Sequence, residues 1–354
     1  MKKNVYILFF VCQLVLSQSV RKYSNEFLNI GVDAAAFGMG KAVVATSNNV
    51  NANYWNPAGL TAVEEYQGAI MHAEYFAGIA KYDYLGFAMP IDNNSALGIS
   101  LIRFGVDDIL NTTELIDNEG NIDYNRISLF SAADYALTIG YARKSRIEGL
   151  TIGGNVKIIR RIIGDFATSW GFGFDAGLQY KRNNWEFGIM LRDITTTFNS
   201  WSIDKDEFEK IKNAIPDQNQ ELPESTEITL PKAQLGIAKQ VKFSRDFNLL
   251  TEVDLNLRFT KTNDLISSDI VSIDPAFGFQ LGYMNTVFLR GGIGNLQNEL
   301  QFDNSKELVF QPNFGVGFNY KGIQLDYALT NIASIGNALY SNVFSIKIAF
   351  DNFR

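Results

Sequence analysis

The chain holds one histidine, His72, and one cysteine, Cys12, so the chemistry open to it is narrow. A Ser-His-acid hydrolase would have to take His72 as its base. No partner motif accompanies that residue, and a polar wall position is the plainer reading. There is no His/Cys cluster to hold a transition metal, and neither a metal nor a cofactor is expected. The stretch GFGFDAG (171–177) superficially matches a dinucleotide fingerprint, which means something only at a strand-to-helix turn. Here it lies inside an alternating strand, where glycine relieves crowding in a wall. GMGKA (38–42) lacks the spacing of a phosphate loop. No catalytic residue follows from these candidates.

What would position such residues is better defined. A formal net charge of −7 argues against nucleic acid as a partner, since phosphate rewards basic patches. Residues 1–17 read as a secretory signal: Lys2 and Lys3, then the apolar run VYILFFVCQLVL (5–16), then Val15 and Ser17 at the −3 and −1 positions of a cleavage site. A lipoprotein reading would use Cys12, but few apolar residues precede it and the apolar run continues past it. If Cys12 leaves with the signal, disulfides and thiolate chemistry leave too. Beyond residue 17 no apolar run is long enough for a spanning helix.

The dominant pattern has period two. In FNLLTEVDLNLRF (247–259), Phe247, Leu249, Thr251, Val253, Leu255, Leu257 and Phe259 point one way; Asn248, Glu252, Asp254, Asn256 and Arg258 point the other, with Leu250 the exception. Some fourteen segments behave alike, at about 65–76, 82–91, 96–105, 129–142, 149–161, 166–181, 184–196, 229–242, 246–260, 275–284, 286–293, 308–320, 322–331 and 341–351. Tight turns at 92–94, 143–149, 182–184, 244–246, 284–285 and 321–322 alternate with longer loops, notably 106–128, 197–228, 261–274 and 294–307. That is the plan of a transmembrane antiparallel β-barrel in an outer membrane, all-β, with periplasmic turns and termini and extracellular loops. Closure pairs every backbone group without leaving an edge in lipid. A soluble sandwich would alternate too. The barrel is favoured by strand length, by aromatics near strand ends and by the lack of disulfides in an exported chain. By strand parity His72 shares a side with Gly68, Ile70 and Glu74, read as the lumen.

Residues 18–64 do not alternate. They are rich in Gly, Ala and Asn and precede the barrel proper, 65–354. A segment inside a polar lumen must pack closely and turn sharply. Gly38 and Gly40 allow close backbone approach, Pro57 fixes its φ and biases Asn56 away from helix, and the asparagines can bond backbone in tight turns. A plain turn into the first strand would use the same chemistry. The stretches DAAAFGMGKAVVATSNN (33–49), YWNPAGL (54–60), FSAADYALTIGYARK (130–144) and FGVGFNYKGIQLDYAL (314–329) resemble outer-membrane barrels related to the fatty-acid channel FadL, and among them the PorV/PorQ group. The resemblance implies a fourteen-strand barrel with an N-terminal hatch or plug, in which Gly38, Gly40, Trp55, Asn56, Pro57 and Ala58 belong to the hatch motif. It also implies a non-catalytic component of, or partner to, the type IX secretion system of Bacteroidetes-like bacteria. Such a protein escorts cargo or helps attach it to the surface, beside translocon or attachment-complex proteins. The alternative is a FadL-like channel for hydrophobic small molecules.

The long loops are acidic. Asp107 and Asp108 in one, and Asp204, Phe208 and Ile211 in another, are candidate docking residues, the last three on an amphipathic helix spanning 204–215. A solvated loop would carry the same charge. The C-terminal IAFDNFR resembles the aromatic-ended last strand of outer-membrane barrels, with Phe350 or Phe353 as the assembly signal read by the barrel-assembly machinery.

Overall fold

The computed structural model describes residues 24–76, 78–116, 120–214, 225–301, 305–330 and 341–350. The signal segment 1–17, Cys12 and Phe353 lie outside them, as does the side chain of Ile211.

The strands run β1 (Gln67–Tyr75), β2 (Ala80–Asp92), β3 (Ser95–Asn111), β4 (Ser128–Lys144), β5 (Leu150–Ile163), β6 (Ala167–Arg182), β7 (Trp185–Arg192), β8 (Thr197–Ile203) and β9 (Thr226–Thr229). They continue with β10 (Lys232–Lys242), β11 (Phe247–Arg258), β12 (Ile266–Ser267), β13 (Ser272–Tyr283), β14 (Val287–Leu300), β15 (Lys306–Tyr320), β16 (Ile323–Thr330) and β17 (Ser341–Ala349). Every neighbour is antiparallel, and β1 pairs with both β2 and β17, so the sheet closes. Fourteen strands form the wall: β8 continues β7 upward along β6, β9 leads into β10, and β12 is a two-residue addition against β13. An even, closed, antiparallel ring is the form a lipid-spanning sheet must take.

The alternation sorts the two faces. Leu85, Leu101, Phe172, Phe174, Val253, Leu255, Phe314, Val316, Leu325 and Phe344 are exposed on the outside. Ser100, Thr138, Asn155, Asp175, Glu252, Asp254, Arg290, Asp326 and Lys347 are buried on the inside. Tyr66 with Phe87, Tyr180 with Phe187 and Phe318 with Tyr320 stack near the tight-turn end, as an interfacial aromatic girdle requires. Among the described residues no helix is long and apolar enough to cross a membrane, which says nothing of strands.

Several strands outrun their alternation, each at a bulge. β3 shifts register between Val106 and Ile109, with Asp108 at φ 58, so Asp107 and Asp108 sit within a strand rather than in a loop. β14 shifts between Gly294 and Gln297 and extends to Leu300, which shortens the expected 294–307 loop. The expected 184–196 strand breaks at 193–196, where Asp193 and Thr196 adopt positive φ. Arg192 and Thr197 are consequently both buried although they stand an odd number of positions apart in the chain. One inserted residue reverses a strand's parity, so period-two reading stops there.

Candidate functional site: the N-terminal segment against the barrel wall

Residues 24–63 form four short helical pieces, Glu26–Asn29, Ala34–Gly38, Ala52–Trp55 and Pro57–Ala62, whose contacts are with the inward-facing side chains of the wall. Asn56 joins the last two pieces in an extended conformation. Its Oδ1 accepts from the Ala58 N–H (3.2 Å), and its Nδ2 donates to the carbonyls of Val44 (2.9 Å), Leu178 (3.1 Å) and Ile189 (3.3 Å). Pro57 opens its helix where no backbone donor is needed. Trp55 Nε1 donates to Val32 O (3.0 Å), Tyr54 OH donates to Leu28 O (2.6 Å), and the two rings meet edge to face. The segment lies so close to the wall that inward glycines are obligatory. A Cβ on Gly153 would stand 2.6 Å from the Ala58 nitrogen, one on Gly315 2.9 Å from the Gly38 Cα, and one on Gly188 would meet the Val44 carbonyl. Gly40 itself has φ +65 and abuts the Ile293 backbone. The motif residues thus meet the wall in two separate places, Gly38 and Gly40 on β14 and β15, and Asn56, Pro57 and Ala58 on β5 to β7, while Trp55 packs within the segment.

Charged anchors, which sequence reasoning missed, hold the rest. Lys347 Nζ reaches Asp33 (2.9 Å) and Asp326 (3.2 Å), and Arg290 completes the cluster on Asp326 (2.8 Å). Ser345 Oγ accepts from the Ala34 N–H (3.1 Å) and donates to Asp33 (3.0 Å). On β11, Asp254 accepts from the Val43 (2.9 Å) and Val44 (3.1 Å) N–H groups. Glu252 accepts from the Ala45 N–H (2.6 Å) and the Thr46 hydroxyl. Arg192 donates to Tyr54 O (3.0 Å) and stacks over the Tyr54 ring. Lys157 binds Asp175 (2.8 Å) and Asp193 (2.6 Å), pinning the 193–196 break from inside. The available signal was ionisable residues at lumen-side parity, which stay buried only when paired.

Burial shifts two groups of the segment. Lys41 falls to about 8 because burial disfavours its charge; Asp274 opposes the shift and Arg258 adds to it. Tyr54 is pushed up by burial. Lys41 and Tyr54 border a cavity of about 550 Å³ between the segment and the inner faces of β10 to β15.

The other candidates are scattered. His72 is on the outer face, not in the lumen: Ala69, Met71, Ala73 and Tyr75 face inward, and the His72 ring meets Asp83 (2.7 Å) and Glu74 (3.8 Å). The parity had been assigned to the wrong side because Gly68 and the charged Glu74 share it with the exposed Ile70. No serine hydroxyl bonds to His72 among the described residues. Asp107 pairs with Arg103 (3.0 Å) and Lys81 (3.7 Å). Asp204 caps the helix Lys205–Ala214, accepting from Asp206 (2.9 Å) and Glu207 (3.0 Å), with Phe208 half-buried on it. Phe350 is exposed, and its N–H closes onto Tyr66 O (2.9 Å). No group of three His, Cys, Asp or Glu residues able to hold a metal occurs among the described residues.

A closed fourteen-strand wall, apolar outside and polar within, defines an outer-membrane β-barrel protein. Solved structures with the same fold include the Pseudomonas putida toluene transporter TodX (TM-score 0.54, 15% identity, 90% of this chain and 99% of that one). They also include the CymD monoaromatic hydrocarbon channel (0.56, 13%, 91% and 98%) and a Pseudomonas aeruginosa FadL homologue (0.50, 11%, 90% and 98%). No curated protein matches the chain by sequence. The family model for the type IX secretion system protein PorV matches residues 16–205, and the chain belongs to that family.

Proposed function

We propose that this barrel is a non-catalytic component of, or partner to, a type IX secretion system, serving as cargo escort or in surface attachment, with residues 18–64 as a plug in its lumen. Family membership carries the reading. The clamped segment supports it, because a partner protein needs a closed wall and exposed docking loops rather than an open pore. In this reading the protein is exported by residues 1–17 and sits in outer-membrane lipid after delivery by the barrel-assembly machinery. Its termini are periplasmic, and its long loops face translocon or attachment-complex proteins outside. Affinity purification from native outer membranes tests this. Co-purification of secretion-system proteins is the expected result; their absence, with loss of hydrocarbon or fatty-acid uptake on deletion, would replace the reading with the channel.

The channel is the second reading. The break at Asp193–Thr196 interrupts the wall, and two fold neighbours are a toluene transporter and a hydrocarbon channel. Against it stands the lining of the interior cavity, where Arg192, Lys232, Asn256, Arg258 and Asp274 would be stripped of water by an apolar solute. An enzymatic role for His72 has only the Asp83 contact behind it. His72→Ala should leave secretion unchanged.

A further inference from the structure

The cavity beside Tyr54 and Trp55 is polar, and two of the cations on it lack a carboxylate in contact among the described residues. Four cations face it: Lys41, Arg192, Lys232 and Arg258. Arg258 is neutralised by Asp264 (2.5 Å), and Lys232 reaches Glu26 at 3.4 Å. Asp274 lines the cavity as well and accepts from the Leu296 N–H (3.0 Å). Lys41 and Arg192 have no carboxylate within ion-pair distance among the described residues. Arg192 is 8% exposed, and it spends Nε on Gln234 (2.9 Å) and Nη2 on the Tyr54 carbonyl (3.0 Å), both neutral. A buried guanidinium without a counter-charge is costly. Arg192 and Lys41 therefore face the cavity with no carboxylate in contact, and an anion bound there would satisfy them.

We propose that this cavity binds a monocarboxylate on a polar stem, with Arg192 and Lys41 as its counter-charges. Its volume, about 550 Å³, suits a small ligand or the end of a chain. The amides of Asn256, Gln311 and Asn313 line the cavity and can bond the stem, and the Trp55 ring supplies a flat apolar face. A dianion would be repelled by Asp274 and Glu26. The carboxylate can come from a free organic acid or from the C-terminus of a polypeptide; both present the same group. The inference stands apart from the secretion reading, because binding is measured on the isolated barrel.

The test is titration calorimetry of the full chain in a non-ionic maltoside micelle at pH 7. The probes are N-acetylalanine, N-acetylalaninamide, and N-acetyltrialanine as free acid and as amide. The acids should bind at least about tenfold more tightly than the amides, as a charge-assisted hydrogen bond requires. Tighter binding of N-acetyltrialanine than of N-acetylalanine assigns the site to a chain terminus; equal binding assigns it to a free acid. Arg192→Gln should remove the acid-over-amide preference. Lys41→Met should weaken acid binding in the same direction, and it serves if Arg192→Gln does not fold. Equal binding of acids and amides, no binding of either, or unchanged acid binding in Lys41→Met would each overturn the proposal.

Discussion

The side-chain nitrogen of Asn56 lies 3.1 Å from the carbonyl oxygen of Leu178, and that bond ties the Asn-Pro-Ala turn to the barrel wall across 122 residues of sequence. The same amide bonds Val44 and Ile189, and its oxygen bonds the Ala58 N–H. One side chain therefore fixes the turn, an earlier part of the segment and two wall strands. Its burial is complete, so each lost bond leaves a polar group in a dry site.

Asn56→Ala should destabilise the segment by about 2–4 kcal/mol, from several bonds at roughly 1 kcal/mol each. The wall keeps its own ladder. Limited proteolysis should cut within 24–63 in the variant, while heat-modifiable migration on gels, which reports the folded barrel, stays unchanged. Loss of both signals together would mean that Asn56 supports the wall and not only the segment.

Lys347 neutralises Asp33 from the segment and Asp326 from β16. Removing it strands buried carboxylates, a loss of about 3–5 kcal/mol. Lys347→Met should show that loss in urea unfolding, and adding Asp33→Asn should recover part of it. A double variant no better than the single would break the proposed coupling between segment and strand.

Leu255 faces outward, and Asn256 faces the interior cavity. Leu255→Arg should impair assembly into bilayers by roughly 2–4 kcal/mol if its site lies mid-membrane. Asn256→Glu should be mild, with room in the cavity and cations there to face the new charge. Equal effects at the two positions would contradict the assignment of faces.

Lys41 gives a pH dependence whose sign follows from its lowered value of about 8. The unfolded chain keeps this proton up to the ordinary lysine range, so between pH 8 and about 10.4 it binds more protons than the folded one. Stability should rise with pH across that window, and the unfavourable contribution should be fully present below pH 8. Lys41→Met should flatten this part of the urea-unfolding profile. An unaltered slope would assign the effect to another group.

Strand number and closure were legible in the sequence, because parity marks a two-faced wall over every regular stretch. Legibility ended at bulges. Asp107 and Asp108 looked like loop residues because the β3 shift beyond Val106 scrambles the alternation. The β7 break did the same to Thr197–Ile203. His72 was set on the wrong face because one charged neighbour, Glu74, made that side look polar. The anchors Glu252, Asp254, Asp326 and Lys347 were visible as inward polar positions, yet nothing local to them says what they hold. The segment partners of Glu252, Asp254 and Lys347 lie 206 to 314 residues away, on a stretch whose path only the closed barrel defines.

The most direct test of the account is whether the N-terminal segment lies on the inner wall where its contacts put it. The hydroxyl oxygens of Ser24 and Thr229 are 2.9 Å apart. Ser24→Cys combined with Thr229→Cys places two thiols almost at bonding distance. Mass spectrometry of the oxidised barrel should find the 24–229 disulfide in high yield. The pair Ser24→Cys with Ser345→Cys should give none, because Ser345 meets the segment at Asp33 and Ala34 instead. No 24–229 link, or equal links in both pairs, would contradict the account.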